Sequence, residues 1–303
     1  MPGRLLSIGE CMVELSQAGE GLLRRGFAGD TFNTAWYARA CLPADWNVDY
    51  LTGLGDDPMS SEMVTFMKNA GIGTEAIRRI PGKTPGLYLI TLKNGERTFS
   101  YWRDTAAARK LADDADHLRQ WIETADIVYF SGITLGILTP EANDTLLAEL
   151  RRAKAAGKRV AFDPNVRPRL WADRETMLRT ISEGARAATL VLPSFDDETT
   201  HFGDSSIEET IARYHGLGVE GVVVKNGEQG ATLSFGGAPI HVPAVPAPEV
   251  VDTTSAGDSF NGGFLSRLVR GASPEEAAAF GAAVASTVVR HHGALISPAL
   301  LPA

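Results

Sequence analysis

From Val48 onward the chain alternates short apolar runs with longer amphipathic ones, and this alternation limits the folds open to it more than any other feature. The runs "VDYLTGLG", "ADIVYFSGI", "RVAFDP", "TLVLPSF" and "GVVVKNG" have the length and apolar density of buried strands. Between them, "SSEMVTFMKNAG", "PEANDTLLAELRRAKAAG", "DRETMLRTISEGARAA" and "SIEETIARYHGLG" carry helical spacing. The opening follows the same rule, with "RLLSIGECMVELS" as strand and "DTFNTAWYARAC" as helix. Strands joined through helices predict an α/β fold, a mostly parallel central sheet with helices on both faces.

One segment breaks the rhythm. In "GLYLITLKNGERTFSYWR", Gly86 to Arg103, two β-rich runs flank Asn94-Gly95, a strong hairpin signal. The hairpin is either an ornament on a sheet edge or part of a small sheet that closes over a site, together with the polar end of "CMVELSQAGEGLLRRGF". No internal repeat or long linker divides the chain. Residues 1–303 are expected to form one domain, with a lid from about 12–27 and 86–105.

Composition removes several classes of function. Apolar residues at 44% and charged residues at 22% suit a soluble globular chain. The longest apolar run, "ADIVYFSGITLGIL", is interrupted by Asp126, Ser131 and Gly132 before it reaches the ~20 residues of a membrane helix. Glu10 and Glu14 break the stretch where a signal peptide would be apolar, so a cytoplasmic protein without membrane contact is expected. A net charge of −8 argues against a nucleic-acid partner. It leaves room for a small anion held by arginines and helix N-termini. Cys11 and Cys41 make no ligand spacing and read as small buried side chains.

Some stretches imitate motifs without fulfilling them. "PGKT" at Pro81–Thr84 lacks the upstream glycine of a phosphate-binding loop, since Ile77 stands there. "GIGTEA" at Gly71–Ala76 follows a helix where a dinucleotide fingerprint must follow a strand, so a dehydrogenase is remote and a helix C-cap fits better. His291-His292 and the scattered histidines show no zinc spacing.

The stretch that carries chemistry is "DTTSAGDSFNGGF", Asp252 to Phe264. Small residues at the start of a helix offer backbone N–H groups and the positive end of the helix dipole to an anion. The N–H groups of Ser255, Ala256 and Gly257 are expected to form that cradle, with Asp258 in the first helical turn. A carboxylate beside a phosphate is costly unless it takes a proton from an attacking hydroxyl. The plainer alternative is an aspartate that merely caps the helix.

The stretch resembles the C-terminal signature of the ribokinase-like (PfkB) carbohydrate kinases, Asp-Thr-x-Gly-Ala-Gly-Asp, with Ser255 where glycine is usual. "GECMVELS", "GDTFNTAWYAR" (Gly29–Arg39), "SYWR" (Ser100–Arg103), "FDPNVRPRLW" (Phe162–Trp171) and "VVVKNGEQG" (Val222–Gly230) are similar, in that order, to the 2-keto-3-deoxygluconate kinases among them. The resemblance covers nearly the whole chain. It implies a ribokinase-like three-layer αβα sandwich with a small β-sheet lid. It also implies ATP-dependent phosphorylation of the C6 hydroxyl of 2-keto-3-deoxygluconate, with Asp258 as base. Alternatives are a fructokinase or another sugar kinase of the same fold, or a sugar-binding regulator without turnover.

On the sugar side, the resemblance implies Gly29, Asp30 and Asn33 for the hydroxyls, Tyr88, Tyr101 and Arg103 from the lid, and Arg167 near substrate and phosphate. Either tyrosine could instead be sheet packing. Arg103 is expected to meet the substrate carboxylate, which a guanidinium fits. Asp163 and Asn165 would hold water or Mg²⁺, or simply build a turn. On the nucleotide side it implies Ser194, Lys225, Gly227 and Gly230, the cradle residues Ser255 and Gly257, and a wall of Ala282, Ala283, Ala285 and Ser286. Asp197 and Glu198, in "LPSFDDE", stand for the family's metal-linked carboxylate, acting through water. The cofactors implied are ATP and Mg²⁺, with a monovalent cation admitted by the same resemblance. A homo-oligomer formed through the lid completes the expectation.

Overall fold

The computed structural model describes residues 3–93 and 96–303. Among them an eight-stranded sheet runs in the order Ile240–Val242, Ala231–Ser234, Gly221–Lys225, Leu190–Val191, Arg159–Asp163, Ile127–Ser131, Arg4–Ile8, Asn47–Leu51. From Gly221–Lys225 onward in this order every pairing is parallel. The two strands at the other edge are antiparallel. Those two are three and four residues long, too short to show a period, and the sequence reading did not reach them.

The strands are apolar on both faces because both faces are covered. In Arg4–Ile8, Leu6 and Ile8 enter one core cluster and Leu5 enters the other. The first cluster takes in Phe130 and Phe162, stacked with centroids 4.6 Å apart, and side chains of the helices Ala115–Thr124, Pro140–Ala155, Arg174–Ala187 and Ile207–Gly216. The second gathers Asp30–Cys41, Pro58–Asn69, Ala256–Leu268 and Pro274–Val288. This is the three-layer αβα sandwich. The helices start where local chemistry dictates: Thr139 and Asp173 accept from Ala142 and Thr176 N–H groups, and Ser273 forms a capping box with Glu276.

A second sheet of four strands, in the order Leu22–Ala28, Met12–Gly19, Leu87–Lys93, Glu96–Trp102, makes the lid. The last two strands pair antiparallel from Leu87↔Trp102 to Lys93↔Glu96. The turn expected at Asn94-Gly95 lies outside the described residues. Met12–Gly19 pairs in parallel with Leu87–Lys93, a pairing no local signal could announce. Among the described residues no helix is long and apolar enough to cross a membrane.

Candidate active site

A cleft of about 1370 Å³ lies between the lid sheet and the carboxyl ends of the central strands. Open α/β sheets place ligands at this edge because helix N-termini and strand-end loops converge there. Asp163 and Lys225 close their strands here, and the helix Ala256–Leu268 begins here.

Asp258 lines the cleft in the first turn of that helix. Asn33 Nδ2 donates to Asp258 Oδ2 at 2.9 Å and Thr34 Oγ1 to the Asp258 carbonyl at 3.3 Å, so two helices hold each other in register at the site. Asp30 opens the helix Asp30–Cys41 and accepts from Asn165 Nδ2 at 2.8 Å. Asp163 accepts from Lys225 Nζ at 2.7 Å and from Asn261 Nδ2 at 2.6 Å. Burial foremost, then the charges of Asp30 and Asp163, push Asp258 up to about 7, against the pull of Asn33 and Lys225. Burial also raises Asp30 above the usual carboxylate range, while hydrogen bonds from Ser131 and Asn165 resist. A carboxylate poised near neutrality, beside a helix N-terminus, suits a general base.

The cradle differs from its expected form. Ser255 stands at φ 64°, ψ 13°, the left-handed region, which explains why glycine is usual there. The Ala256 N–H donates to the Thr253 carbonyl at 3.2 Å, a bond an anion in the cradle would have to share, so Ser255 and Gly257 are the less committed donors. The turn uses the Ala256 amide to close itself. We expect Ser255→Gly to gain about 0.5–1 kcal/mol by removing a left-handed Cβ, and to change kcat by no more than a few-fold, since both residues offer an N–H. Thermal melts and initial rates check this; a loss of all activity would give the Ser255 hydroxyl its own task.

On the sugar side, Gly29 is extended, and a Cβ there would sit 2.1 Å from the Glu10 carbonyl oxygen. Only glycine lets the two segments pass. Its N–H donates to Asn33 Oδ1 at 3.3 Å. Tyr88 is buried and donates to Glu14, whereas the Tyr101 ring is 40% exposed and lies 5.3 Å from the Arg169 guanidinium. Arg103 faces the cleft but is not a free cation, because it is ion-paired with buried Glu10. Arg167, half-exposed, lies 3.7 Å from Asp197 Oδ2.

On the nucleotide side, Ser194, Lys225, Gly227, Gly230, Ala282, Ala285 and Ser286 line the same cleft, and Ala283 does not. Ser286 Oγ donates to the Pro246 carbonyl at 3.1 Å and so ties the loop to the helix. Asp197 lines the cleft and accepts from the Val166 N–H at 3.2 Å. Its neighbour Glu198 is turned inward, which corrects the expectation that it serves a metal. It is fully buried and accepts from Arg213 Nη2 at 2.5 Å and from Tyr214 Oη at 2.9 Å. The segment Glu198–Phe202 winds as a π-turn, and adjacent carboxylates on a helical turn face different sides.

The pfkB family carbohydrate kinase profile matches residues 3–300. The chain belongs to this family. The kinase is 44% identical over 303 residues to the 2-dehydro-3-deoxygluconokinase of Dickeya dadantii, covering 98% of its own length and 97% of the relative's. It is 41% identical over 310 residues to the 2-dehydro-3-deoxygluconokinase of Escherichia coli K12, with both chains fully covered. A solved Escherichia coli structure assigned as ribokinase II, in complex with ATP and Mg²⁺, superposes with a TM-score of 0.83 at 23% identity, covering 96% of the kinase and 94% of that chain.

Some cleft residues of the kinase escaped the sequence reading. Arg169 lies two positions beyond Arg167 in the same stretch, and Phe99 lies on the lid strand that carries Tyr101. Behind them Asn261, buried and outside the cleft lining, bonds both Asp163 and Lys225; it sits one helical turn after Asp258, and that spacing could have revealed it.

Proposed function

We propose that the kinase transfers the γ-phosphoryl group of ATP to the C6 hydroxyl of 2-keto-3-deoxygluconate (2-dehydro-3-deoxygluconate), giving 2-keto-3-deoxy-6-phosphogluconate. The observation that carries this reading is Asp258: a carboxylate near neutrality at a helix N-terminus, in a cleft whose lid wall presents Arg103. Relatives that carry this activity by name, over the full length of both chains, support the choice of substrate.

Asp258 accepts the hydroxyl proton as the substrate oxygen attacks phosphorus and the bond to the ADP oxygen breaks. The Ser255 and Gly257 amides and Lys225 stabilise the charge that develops on the transferring group. A Cβ on Gly257 would lie 3.5 Å from the Lys225 Nζ, and this proximity supports that role. Among the described residues no three ligating side chains converge. Asp197, which lines the cleft, would supply one of the one or two carboxylates that Mg²⁺ takes beside phosphate oxygens and water. When bound, the ion offsets charge on the phosphates. The lid over the cleft keeps water from competing as acceptor. The exposed apolar side chains Leu22, Leu23 and Trp102 on the lid support pairing with a second copy through that sheet. The cytoplasm, where ATP is supplied, is the proposed setting.

The test is a panel of 2-keto-3-deoxygluconate, its galactonate epimer, fructose and ribose, with ADP release measured and the phosphorylated carbon located by NMR. The expected result is phosphate on C6 and a kcat/KM for the acids at least about 30-fold above that for the neutral sugars. A preference for fructose would overturn the reading in favour of a fructokinase.

A further inference from the structure

The chain crosses between the central sheet and the lid at four places, and Glu10 touches or forms all of them. Glu10 itself links Arg4–Ile8 to Met12–Gly19. Gly29, after Leu22–Ala28, packs on its carbonyl. Gly86, before Leu87–Lys93, leaves room for its carboxylate, since a Cβ there would lie 2.5 Å from Glu10 Oε1. Arg103, after Glu96–Trp102, is its ion-pair partner.

The pair is asymmetric. Arg103 lines the cleft, whereas Glu10, 2% exposed, lies outside the cleft lining. The pair is also incomplete: Glu10 Oε1 and Arg103 Nε are buried with no hydrogen-bond partner among the described residues. A guanidinium that kept its full charge for an incoming carboxylate would not be neutralised in advance by a buried one. Arg103 therefore carries a partner that a sugar acid must compete with.

We propose that Glu10 is a positioning residue for sugar-acid recognition. It holds the Arg103 guanidinium at the cleft wall in the empty site, and takes up a proton from solvent when the substrate carboxylate becomes that guanidinium's partner. The inference rests on the reading that Arg103 meets the substrate carboxylate. Three charged groups surround Glu10: Arg103 from the lid, Asp30 from the helix Asp30–Cys41, and Arg109 from the turn Ala107–Lys110; Cys11 follows it in the chain. Burial raises the Glu10 carboxyl above its ordinary range even with Arg103 beside it. A third negative charge, brought by the substrate, drives the same group further toward its neutral form.

Titration calorimetry above neutral pH, in two buffers of different ionisation enthalpy, counts the protons taken up with each ligand. The ligands are 2-keto-3-deoxygluconate and its neutral C1 amide, which differ only at that carboxyl. For the wild type, the acid is expected to take up a measurable fraction of a proton beyond the amide. Glu10→Gln, which copies the protonated carboxyl, is expected to lose that excess and to bind the acid roughly three- to tenfold more tightly, by removal of one nearby negative charge. Its affinity for the amide stays unchanged. Equal proton counts for acid and amide in the wild type would overturn the proposal without any variant. So would a Gln variant that weakens both ligands alike, which marks a purely structural pair. Arg103→Ala in the same panel separates the two layers of the argument. If it weakens acid and amide equally, Arg103 does not meet the carboxylate and the underlying reading fails. If it weakens the acid alone while the wild-type proton counts are equal, only the role of Glu10 falls.

Discussion

Asp258→Asn is expected to lose about 10²–10⁴ in kcat, the range for removal of a general base, while ATP binding is retained. Steady-state rates and nucleotide titration measure the two halves, and a near-normal kcat would remove Asp258 from the mechanism. The same residue sets a pH limb. Only its ionised form can accept the proton, so wild-type kcat/KM should fall as pH drops below about 7, the value to which burial, Asp30 and Asp163 push this carboxyl. Stability runs the opposite way. A carboxyl raised from its ordinary range in the folded state contributes stability that is fully present below that ordinary range and is lost as pH rises through about 7. Asparagine keeps an oxygen to accept from Asn33 Nδ2 and carries no charge toward Asp30. The inactive variant should therefore melt a few degrees above the wild type in mildly alkaline buffer, and the gap should close as the pH falls toward the ordinary carboxylate range. A variant that is both slow and less stable above pH 7 would show that Asp258 holds the helix Ala256–Leu268 in place instead of working under strain.

Arg103→Ala should cost the sugar acid roughly 30- to 4,000-fold in kcat/KM, the equivalent of about 2–5 kcal/mol for removing one partner of a charge-assisted hydrogen-bonded pair in a closed site. Activity on a neutral ketose should fall much less. The ratio of the two losses is the measurement, and equal losses would assign Arg103 to the lid or the phosphate and leave the carboxylate to Arg167. The tertiary structure adds a second consequence. Removing Arg103 strands the buried Glu10 carboxyl without its cation, and breaking a buried pair from one side is destabilising. With Arg103 gone the Glu10 carboxyl rises further, so the stability deficit should grow as pH rises. Melting curves across pH read this directly. Arg103→Ala combined with Glu10→Gln should recover much of the missing stability and none of the acid preference.

The alternation of apolar and amphipathic runs was enough to predict the parallel sheet and its two helical layers, because each strand or helix expresses its burial in its own period. The helix read from "DTFNTAWYARAC" is the helix Asp30–Cys41 residue for residue. The lid hairpin and the helix start at Ala256 were legible for the same reason: turn residues and small residues act over three or four positions. The place of Asp258 in the first turn of that helix, at the cleft, was legible because its oddity, a carboxylate among small residues at a helix start, is local too. What the sequence could not decide was which way adjacent groups turn and what they meet. Asp197 reaches the cleft and Glu198 is buried against Arg213. Asn33 bonds to Asp258 across 225 positions, and Glu10 meets Arg103 across 93. The state of Asp258 depends on Asp30 and Asp163, which no spacing rule connects to it. Local propensity is set by backbone sterics and hydrogen bonding within a turn or a strand pair, so it is written in neighbouring residues. The charge state and partners of a buried group are set by which distant side chains packing brings within a few ångströms, and only the folded arrangement of both sheets determines that.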